Sequence, residues 1–128
     1  MEITYRMLNR WFDSIYLLGT DYHISVMKNV RDYIEENYNR KITLDDICSH
    51  VFLSRSYLCT LFRQKTGGTI SDYILRVRIE KSIELMGNRE LSLKEIMEQC
   101  GFESQSYYTK TFRRLIGVNP GQYRNKFL

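Results

Sequence analysis

An internal repeat constrains the fold of this chain more than any other feature of its sequence. Residues 54–57, Ser-Arg-Ser-Tyr, match residues 104–107, Ser-Gln-Ser-Tyr, at a shift of fifty positions, and the register holds for about twenty residues. Upstream the matching shift is forty-nine, so the second copy carries one extra residue in the turn around Gly101. Two copies of one unit predict a tandem module. The pairs that agree downstream are Phe62 with Phe112, Gly67 with Gly117 and Tyr73 with Tyr123.

Each copy has the pattern of two short helices joined by a tight turn. A hydroxyl residue precedes the first helix as a cap, an acid follows three positions later, and a serine caps the second helix. A glycine then ends the second helix. The caps are Thr43 and Ser54 in the first copy and Ser92 and Ser104 in the second, with acids Asp46 and Glu95 and stops Gly67 and Gly117. This is the helix-turn-helix plan, in which the second helix enters the major groove of DNA.

Apolar residues at helical spacing predict an all-α fold. A long helix is expected from about Thr69 to Met86, between the two copies, and Gly87 and Asn88 end it. One proline and seven glycines leave few breaks in such a chain. We therefore expect two helix-turn-helix subdomains joined by a long linker helix, and the length of the chain allows either one core or two small cores that share a helix. The inner stripes of the second helices are predicted to be Tyr57, Leu58, Leu61 and Phe62 in one copy, and Tyr108 and Phe112 in the other.

The charge pattern favours a polyanionic partner. The formal net charge is +4, and the stretches 47–71 and 104–128 contain basic residues but no acid. The predicted reading helices lie within these two stretches. Their outward faces carry the candidate base-reading residues, which are Arg55, Ser56, Cys59 and Thr60 in the first copy and Gln105, Ser106, Thr109 and Lys110 in the second.

A second group of residues is expected to hold phosphates rather than to read bases. These residues lie at helix N-termini or flank the reading helices, where N–H groups and cations can bind the DNA backbone. Arg76 and Arg78, on the long helix, have two interpretations: pairing with carboxylates such as Asp45 or Asp46, or DNA contact. The candidate phosphate contacts are Lys41, Thr43, Arg63, Ser92, Arg113, Arg114 and Arg124.

The sequence offers few residues that could form a catalytic or metal-binding site. The three cysteines occur at no metal-ligand spacing, and only His23 and His50 could join them. Glycine-rich phosphate loops and nucleophile motifs are absent from the sequence. We expect no metal, no cofactor and no enzymatic activity. With no signal peptide or long apolar run, we also expect a cytoplasmic protein without membrane contact.

The motifs taken together resemble the DNA-binding domain of the AraC/XylS family of bacterial transcription regulators. The resemblance covers about Val26 to Arg124 and implies seven helices with two helix-turn-helix subdomains that read successive major-groove segments. It carries base contacts over to Ser56, Cys59, Thr60, Gln105, Ser106, Thr109 and Lys110. The residues that match are Leu58-x-x-Leu61-Phe62-Arg63-x-x-Thr66-Gly67, Tyr73-Ile74-x-x-x-Arg78-Ile79, Gly101-Phe102-x-Ser104-Gln105-Ser106-Tyr107 and Gly117-x-x-Pro120-x-x-Tyr123-Arg124.

The resemblance also predicts the domain boundaries and which of the two subdomains contributes more to sequence choice. Residues 23–128 would form the DNA-binding domain, with a first subdomain at about 24–67, the linker helix at 69–87 and a second subdomain at 91–128. Cys59 departs from the longer polar residues often found at its position. Together with Ser56 it gives the first reading helix short side chains, so the second subdomain is predicted to dominate sequence choice.

Residues 1–22 lie ahead of the resemblance and are predicted to form an N-terminal helix. A heptad-like seam on it could pack on its own domain or form a homodimer contact. Family members commonly carry an effector or receiver domain there, so we expect the C-terminal output part of a longer activator or repressor. The expected partners are operator or promoter DNA and RNA polymerase, and the alternative function is a helical protein-interaction module. The seam residues are Leu8, Trp11, Ile15, Leu18 and Tyr22.

Overall fold

The computed structural model describes residues 21–128 of the chain, and this part is all helical, as predicted. The described residues contain no strand. The predicted N-terminal helix lies outside them except for its last two residues. The seven helices are α1 (Asp21–Asn37), α2 (Leu44–Val51), α3 (Arg55–Thr66), α4 (Ile70–Met86), α5 (Leu93–Gln99), α6 (Gln105–Ile116) and α7 (Pro120–Phe127).

The predicted caps set the helix boundaries. Thr43 and Asp46 form a reciprocal capping box at the start of α2, in which the Thr43 hydroxyl accepts from the Asp46 amide at 3.1 Å. Ser54 and Ser104 cap the two reading helices, and Thr69 caps the linker helix α4. Because capping depends on a side chain and an amide three residues away, these boundaries follow from local sequence alone.

Two hydrophobic cores share α4. The first core packs α1, α2 and α3 against the N-terminal half of α4, and the second packs α5, α6 and α7 against its C-terminal half. Tyr38, which follows α1, packs against both cores. The linker helix therefore contributes residues to both cores, which is the second of the two arrangements that the length of the chain allows.

The one-residue difference between the copies lies in the helix-turn-helix corner. Phe52 and Gly101 occupy the same left-handed corner, with φ of 60° and 88°. Two residues, rather than one, then separate the corner from the cap of the reading helix in the second copy. The residue that follows the corner contacts the core in both copies: Phe102 is buried in the second core at 4% exposure, and Leu53 packs partly buried against the first core.

Two kinds of feature are absent from residues 21–128. No helix among these residues has both the length and the apolar character needed to cross a membrane. The same residues contain no group of three or more histidine, cysteine or acidic side chains placed to hold a metal ion.

Candidate nucleic-acid interface

The helices α3 and α6 present the candidate base-reading residues to solvent. On α3 all four of these side chains are exposed, and on α6 all are exposed except Thr109, which is half-buried. The opposite faces supply Leu58, Leu61 and Phe62 to the first core and Tyr108 and Phe112 to the second. Each reading helix is thus held by its apolar side while its polar side stays free to meet a ligand.

The polar face of α6 forms an open concave surface. This surface encloses about 730 Å³ and combines an amide, two hydroxyls and three cations. Amides and hydroxyls can exchange hydrogen bonds with base edges, and guanidinium and ammonium groups bind guanine or phosphate. The lining residues are Gln105, Ser106, Thr109, Lys110, Arg113 and Arg114.

The two helix N-termini proposed as phosphate sites already carry acidic neighbours. At α2, the Asp46 carboxylate accepts from the Thr43 amide at 2.9 Å, and the backbone and side-chain hydrogen bonds from Thr43 lower the pKa of Asp46. At α5, the Ser92 hydroxyl donates to the Glu95 carboxylate at 3.1 Å. A phosphate at either terminus would therefore meet a negative charge nearby, which weakens the dipole attraction there.

Two of the candidate DNA-contacting arginines form ion pairs with acids. Arg55 lies 3.1 Å from Asp45, and Arg114 lies 3.6 Å from Asp72. Both arginine side chains remain more than half exposed, and such surface pairs stabilise a fold by at most about 1 kcal/mol. DNA can therefore compete with either acid for its arginine.

Arg124, one of the predicted phosphate contacts, is largely buried in the structure. Its residue is only 9% exposed, and its guanidinium donates to the Asn88 carbonyl at 2.7 Å. This bond joins α7 to the segment between α4 and α5. Arg124 therefore packs within the second subdomain, away from the surface where a phosphate would bind.

Arg76 and Arg78 have structural partners, as one interpretation predicted, but not Asp45 or Asp46. Arg76 pairs with Asp72 one turn earlier in α4, at 2.8 Å. Arg78 donates to two backbone carbonyls, of Tyr38 and Arg40, at 2.9 Å each. The named carboxylates were wrong: Asp46 caps its own helix α2, and Asp45 pairs with Arg55 of α3.

Two tyrosines on the reading helices were missed by sequence reasoning. Tyr57, predicted to line the first core, is 46% exposed, and its repeat equivalent Tyr107 is also exposed. A core stripe that contains Leu58, Leu61 and Phe62 leaves position 57 on the flank of the helix. Both tyrosines thus place a hydroxyl beside the first turn of a reading helix, where it can bind a phosphate.

A small cleft separates the two subdomains. It encloses about 160 Å³, and residues of both subdomains line it together with Arg78 of α4. Lys41 comes from the segment before α2, and Tyr107 comes from α6. Lys41, a candidate phosphate contact, therefore lies near the start of the second reading helix.

Comparison with known protein families gives one match over most of the described residues. The family described as "Helix-turn-helix domain" matches residues 47–126. Among curated proteins, the probable transcriptional regulator LumQ of Photobacterium leiognathi is 35% identical over 95 residues, which cover 74% of this chain. That match covers 38% of LumQ, so this chain corresponds to well under half of its relative.

Solved structures show the same architecture. The C-terminal domain of AraT, a response regulator from Geobacillus stearothermophilus, superposes with a TM-score of 0.75 at 29% identity. The match covers 80% of this chain and 86% of that domain. A transcriptional regulator from Chromobacterium violaceum with an AraC-type DNA-binding domain gives a TM-score of 0.75 at 27% identity, covering 80% of this chain and 91% of that one.

Proposed function

This chain belongs to the AraC family of helix-turn-helix transcription regulators and contains their DNA-binding domain, and from this premise we propose how it binds DNA. In our proposal α3 and α6 enter successive major-groove segments of one operator. One observation carries the proposal: two capped, acid-free helices stand in the same repeat register, each with its apolar side buried and its polar side exposed. Nothing specific in the structure favours the alternative of a protein-interaction module.

Base reading is assigned to the exposed polar residues of the two helices. Gln105 can pair with adenine through two hydrogen bonds, and Lys110 and Arg55 can bind guanine. The hydroxyls of the serines and threonines can accept from or donate to either base, and the Cys59 thiol is a weaker donor. The proposed base-reading set is Arg55, Ser56, Cys59 and Thr60 on α3, and Gln105, Ser106, Thr109 and Lys110 on α6.

Phosphate binding is assigned to cations and helix N-termini around these faces. Contacts of this kind fix orientation and affinity but carry no sequence information. Tyr57 and Tyr107 join the set because the structure exposes them, and Arg124 leaves it because it is buried. The proposed phosphate set is Lys41, Thr43, Tyr57, Arg63, Ser92, Tyr107, Arg113 and Arg114.

Changing base-reading residues should alter sequence preference in one half of the site only. Selection from a random duplex pool should enrich two adjacent major-groove segments for the native chain. The double variant Gln105→Ala, Lys110→Ala should lose preference in one segment, with a cost of about 1–3 kcal/mol at each base pair no longer read. Its matched control is Arg55→Ala, Thr60→Ala, at the equivalent repeat positions.

The matched pair also tests whether the second subdomain dominates. Because Ser56 and Cys59 are short, α3 is expected to contribute less to sequence discrimination than α6. The control variant should therefore lose less discrimination than the α6 variant. Equal losses in both segments would contradict this ranking. If the native chain enriches no sequence at all, the proposed DNA-reading mechanism fails.

Removing a phosphate contact should change the salt dependence of binding rather than its sequence preference. For Lys41→Ala, the slope of log affinity against log salt concentration should decrease in magnitude by about one, because one counterion fewer is released. Titrations of the enriched duplex between low and physiological salt measure this slope. Lys28→Ala, which removes an exposed lysine from α1, should leave the slope unchanged.

The remaining parts of the proposal concern the larger regulator. Because this chain spans 38% of LumQ, we propose that it serves as the output domain of a longer cytoplasmic activator or repressor that contacts RNA polymerase. We assign residues 23–128 to the DNA-binding domain, with subdomains at about 24–67 and 91–128. Residues 1–22 would provide a homodimer contact. The solution mass of the chain with and without these residues tests that contact.

A further inference from the structure

Arg78 joins the end of α1 to the linker helix α4. Its Nε and one terminal nitrogen donate to the carbonyls of Tyr38 and Arg40, which lie forty and thirty-eight residues away in sequence. Carbonyls just past a helix C-terminus lack intrahelical donors and attract cations. The last turn of α1 has no basic residue; two guanidinium groups lie at this helix end, that of Arg40, which bonds to Asn37 and Tyr33, and that of Arg78 from α4.

Lys81, one turn further along α4, makes a second connection to α1. Its ammonium lies 3.4 Å from the Glu35 carboxylate and 5.7 Å from the centroid of the Tyr38 ring. The Lys81 side chain is mostly buried. The end of α1, which belongs to the first subdomain, is therefore attached to the half of α4 that forms the second core.

The corner of the second helix-turn-helix unit packs on the same point. A Cβ added to Gly101 would overlap the Tyr38 carbonyl oxygen and would lie 3.1 Å from Nε of Arg78. Gly101 thus brings the backbone of the second subdomain directly against the carbonyl that Arg78 holds. First subdomain, linker helix and second subdomain meet at one guanidinium.

The partial burial and the planar donor geometry of the Arg78 guanidinium are expected to make this junction rigid. The Arg78 guanidinium is partly buried, and desolvation lowers its pKa. An arginine presents its donors in a fixed planar fork, so two hydrogen bonds to two carbonyls define the position of both groups. Breaking them would leave a partly buried charge and two carbonyls to find new partners.

We propose that Arg78 is a positioning residue that fixes α3 relative to α6 and thereby fixes the distance between half-sites that the chain accepts. The inference rests on the proposed reading of two major-groove segments. One inserted base pair moves a half-site by about 3.4 Å along the duplex and also rotates it around the axis. A rigid pair of reading helices cannot follow that displacement, whereas a loosened pair can.

The spacing of the enriched site provides the first test. Duplexes are made with zero, one or two base pairs inserted or deleted between its half-sites. For the native chain, one base pair should cost about tenfold in affinity or more, comparable to losing a good base contact. For Arg78→Met, the best site should bind more weakly and the same insertion should cost less than about threefold. An unchanged spacing profile in the folded variant would overturn the inference.

Control variants distinguish the positioning role of Arg78 from a simple effect of its charge or of lower chain stability. Lys28→Met removes an exposed cation from α1, the helix whose end Arg78 holds, and should keep the native spacing profile. Arg78→Lys retains the charge but cannot donate to two carbonyls in the same fixed geometry, so its tolerance should fall between native and Arg78→Met. If Arg78→Met does not fold, the lysine variant decides the outcome.

A second measurement needs no DNA. Spin labels on the exposed Cys59 of α3 and on Lys110→Cys of α6 report the distance between the reading helices, because the other two cysteines are buried. The native background should give one narrow distance distribution, and Arg78→Met should broaden it. Equal widths would refute the positioning role. If the pool selection enriches nothing, the proposed function fails while this distance measurement still decides the inference.

Discussion

Replacing Gly101 with alanine is expected to destabilise the chain by about 3 kcal/mol or more, since two costs coincide at this position. Its φ of 88° is left-handed, which costs a residue with a Cβ about 1–2 kcal/mol. The added methyl group would also overlap the Tyr38 carbonyl oxygen, and overpacking of this kind costs about 1–3 kcal/mol. Backbone cannot move aside as a flexible side chain can.

Gly67 provides the matched control for Gly101→Ala. It has a similar φ of 80°, but nothing lies within 4 Å of the Cβ that alanine would add. Gly67→Ala should therefore lose only the conformational part, about 1 kcal/mol. Denaturant unfolding of both variants measures the difference. Equal losses would mean that the Tyr38 carbonyl moves away easily, and the junction around Arg78 would then be softer than we infer.

The features predicted correctly from sequence are those decided by neighbours in the chain. The serine and threonine caps, the glycine stops and the bounds of α4 each depend on residues within one turn. Because the caps and the glycine stops occur in both copies of the repeat, each of them was supported by a second, independent position. Local signals therefore sufficed to predict the two helix pairs, the shared linker and the outward faces of α3 and α6, whereas the count of seven helices came from the family resemblance.

The features that sequence reasoning missed depend on contacts between distant segments. Arg124 has the position and type of a phosphate contact, but the carbonyl of Asn88, thirty-six residues earlier, holds it inside. Arg78 bonds to carbonyls about forty residues away, which no pattern of side chains reveals. Tyr57 was predicted to line the core because it stands beside Leu58 in a run of apolar residues at helical spacing. A strict helical-wheel count around Leu58 would have placed it on the flank.

Features set by local sequence and features set by long-range contacts have different roles in the proposed function. Local signals place each reading helix on its own subdomain, with its polar side outward. Long-range contacts at Tyr38, Arg78 and Gly101 set how one subdomain lies against the other. Base choice should therefore respond to changes on α3 and α6, and half-site spacing to changes at the junction.

Glu80 is expected to make the stability of the chain depend on pH around neutrality. It lies in the middle of α4, is 3% exposed, and neither carboxyl oxygen has a hydrogen-bond partner among the described residues. Burial, which has the largest effect, and the nearby carboxylates of Glu84 and Glu35 together raise the pKa of Glu80 to about 7. A buried carboxyl group without donors is far more stable when protonated.

The sign of the effect follows from proton binding. In the unfolded chain Glu80 titrates near 4.5, so between that pH and about 7 the folded chain holds the extra proton. The free energy of unfolding should therefore fall as the pH rises through this window. A shift of this size corresponds to about 3 kcal/mol once the group is fully ionised, because each pKa unit contributes about 1.4 kcal/mol. The contribution of Glu80 to stability should be least favourable above about pH 8.

Glu80→Gln tests this expectation, because glutamine keeps the shape of the side chain and cannot ionise. Urea unfolding at pH 5 and at pH 8.5 should show a large loss of stability for the native chain and a much smaller one for the variant. Glu98→Gln removes an equivalent charge from an exposed position on α5 and should retain the native pH dependence. If Glu80→Gln follows the native curve, the carboxyl group is ionised in the folded chain. A partner that moves into hydrogen-bond distance of Glu80 would then have to stabilise it.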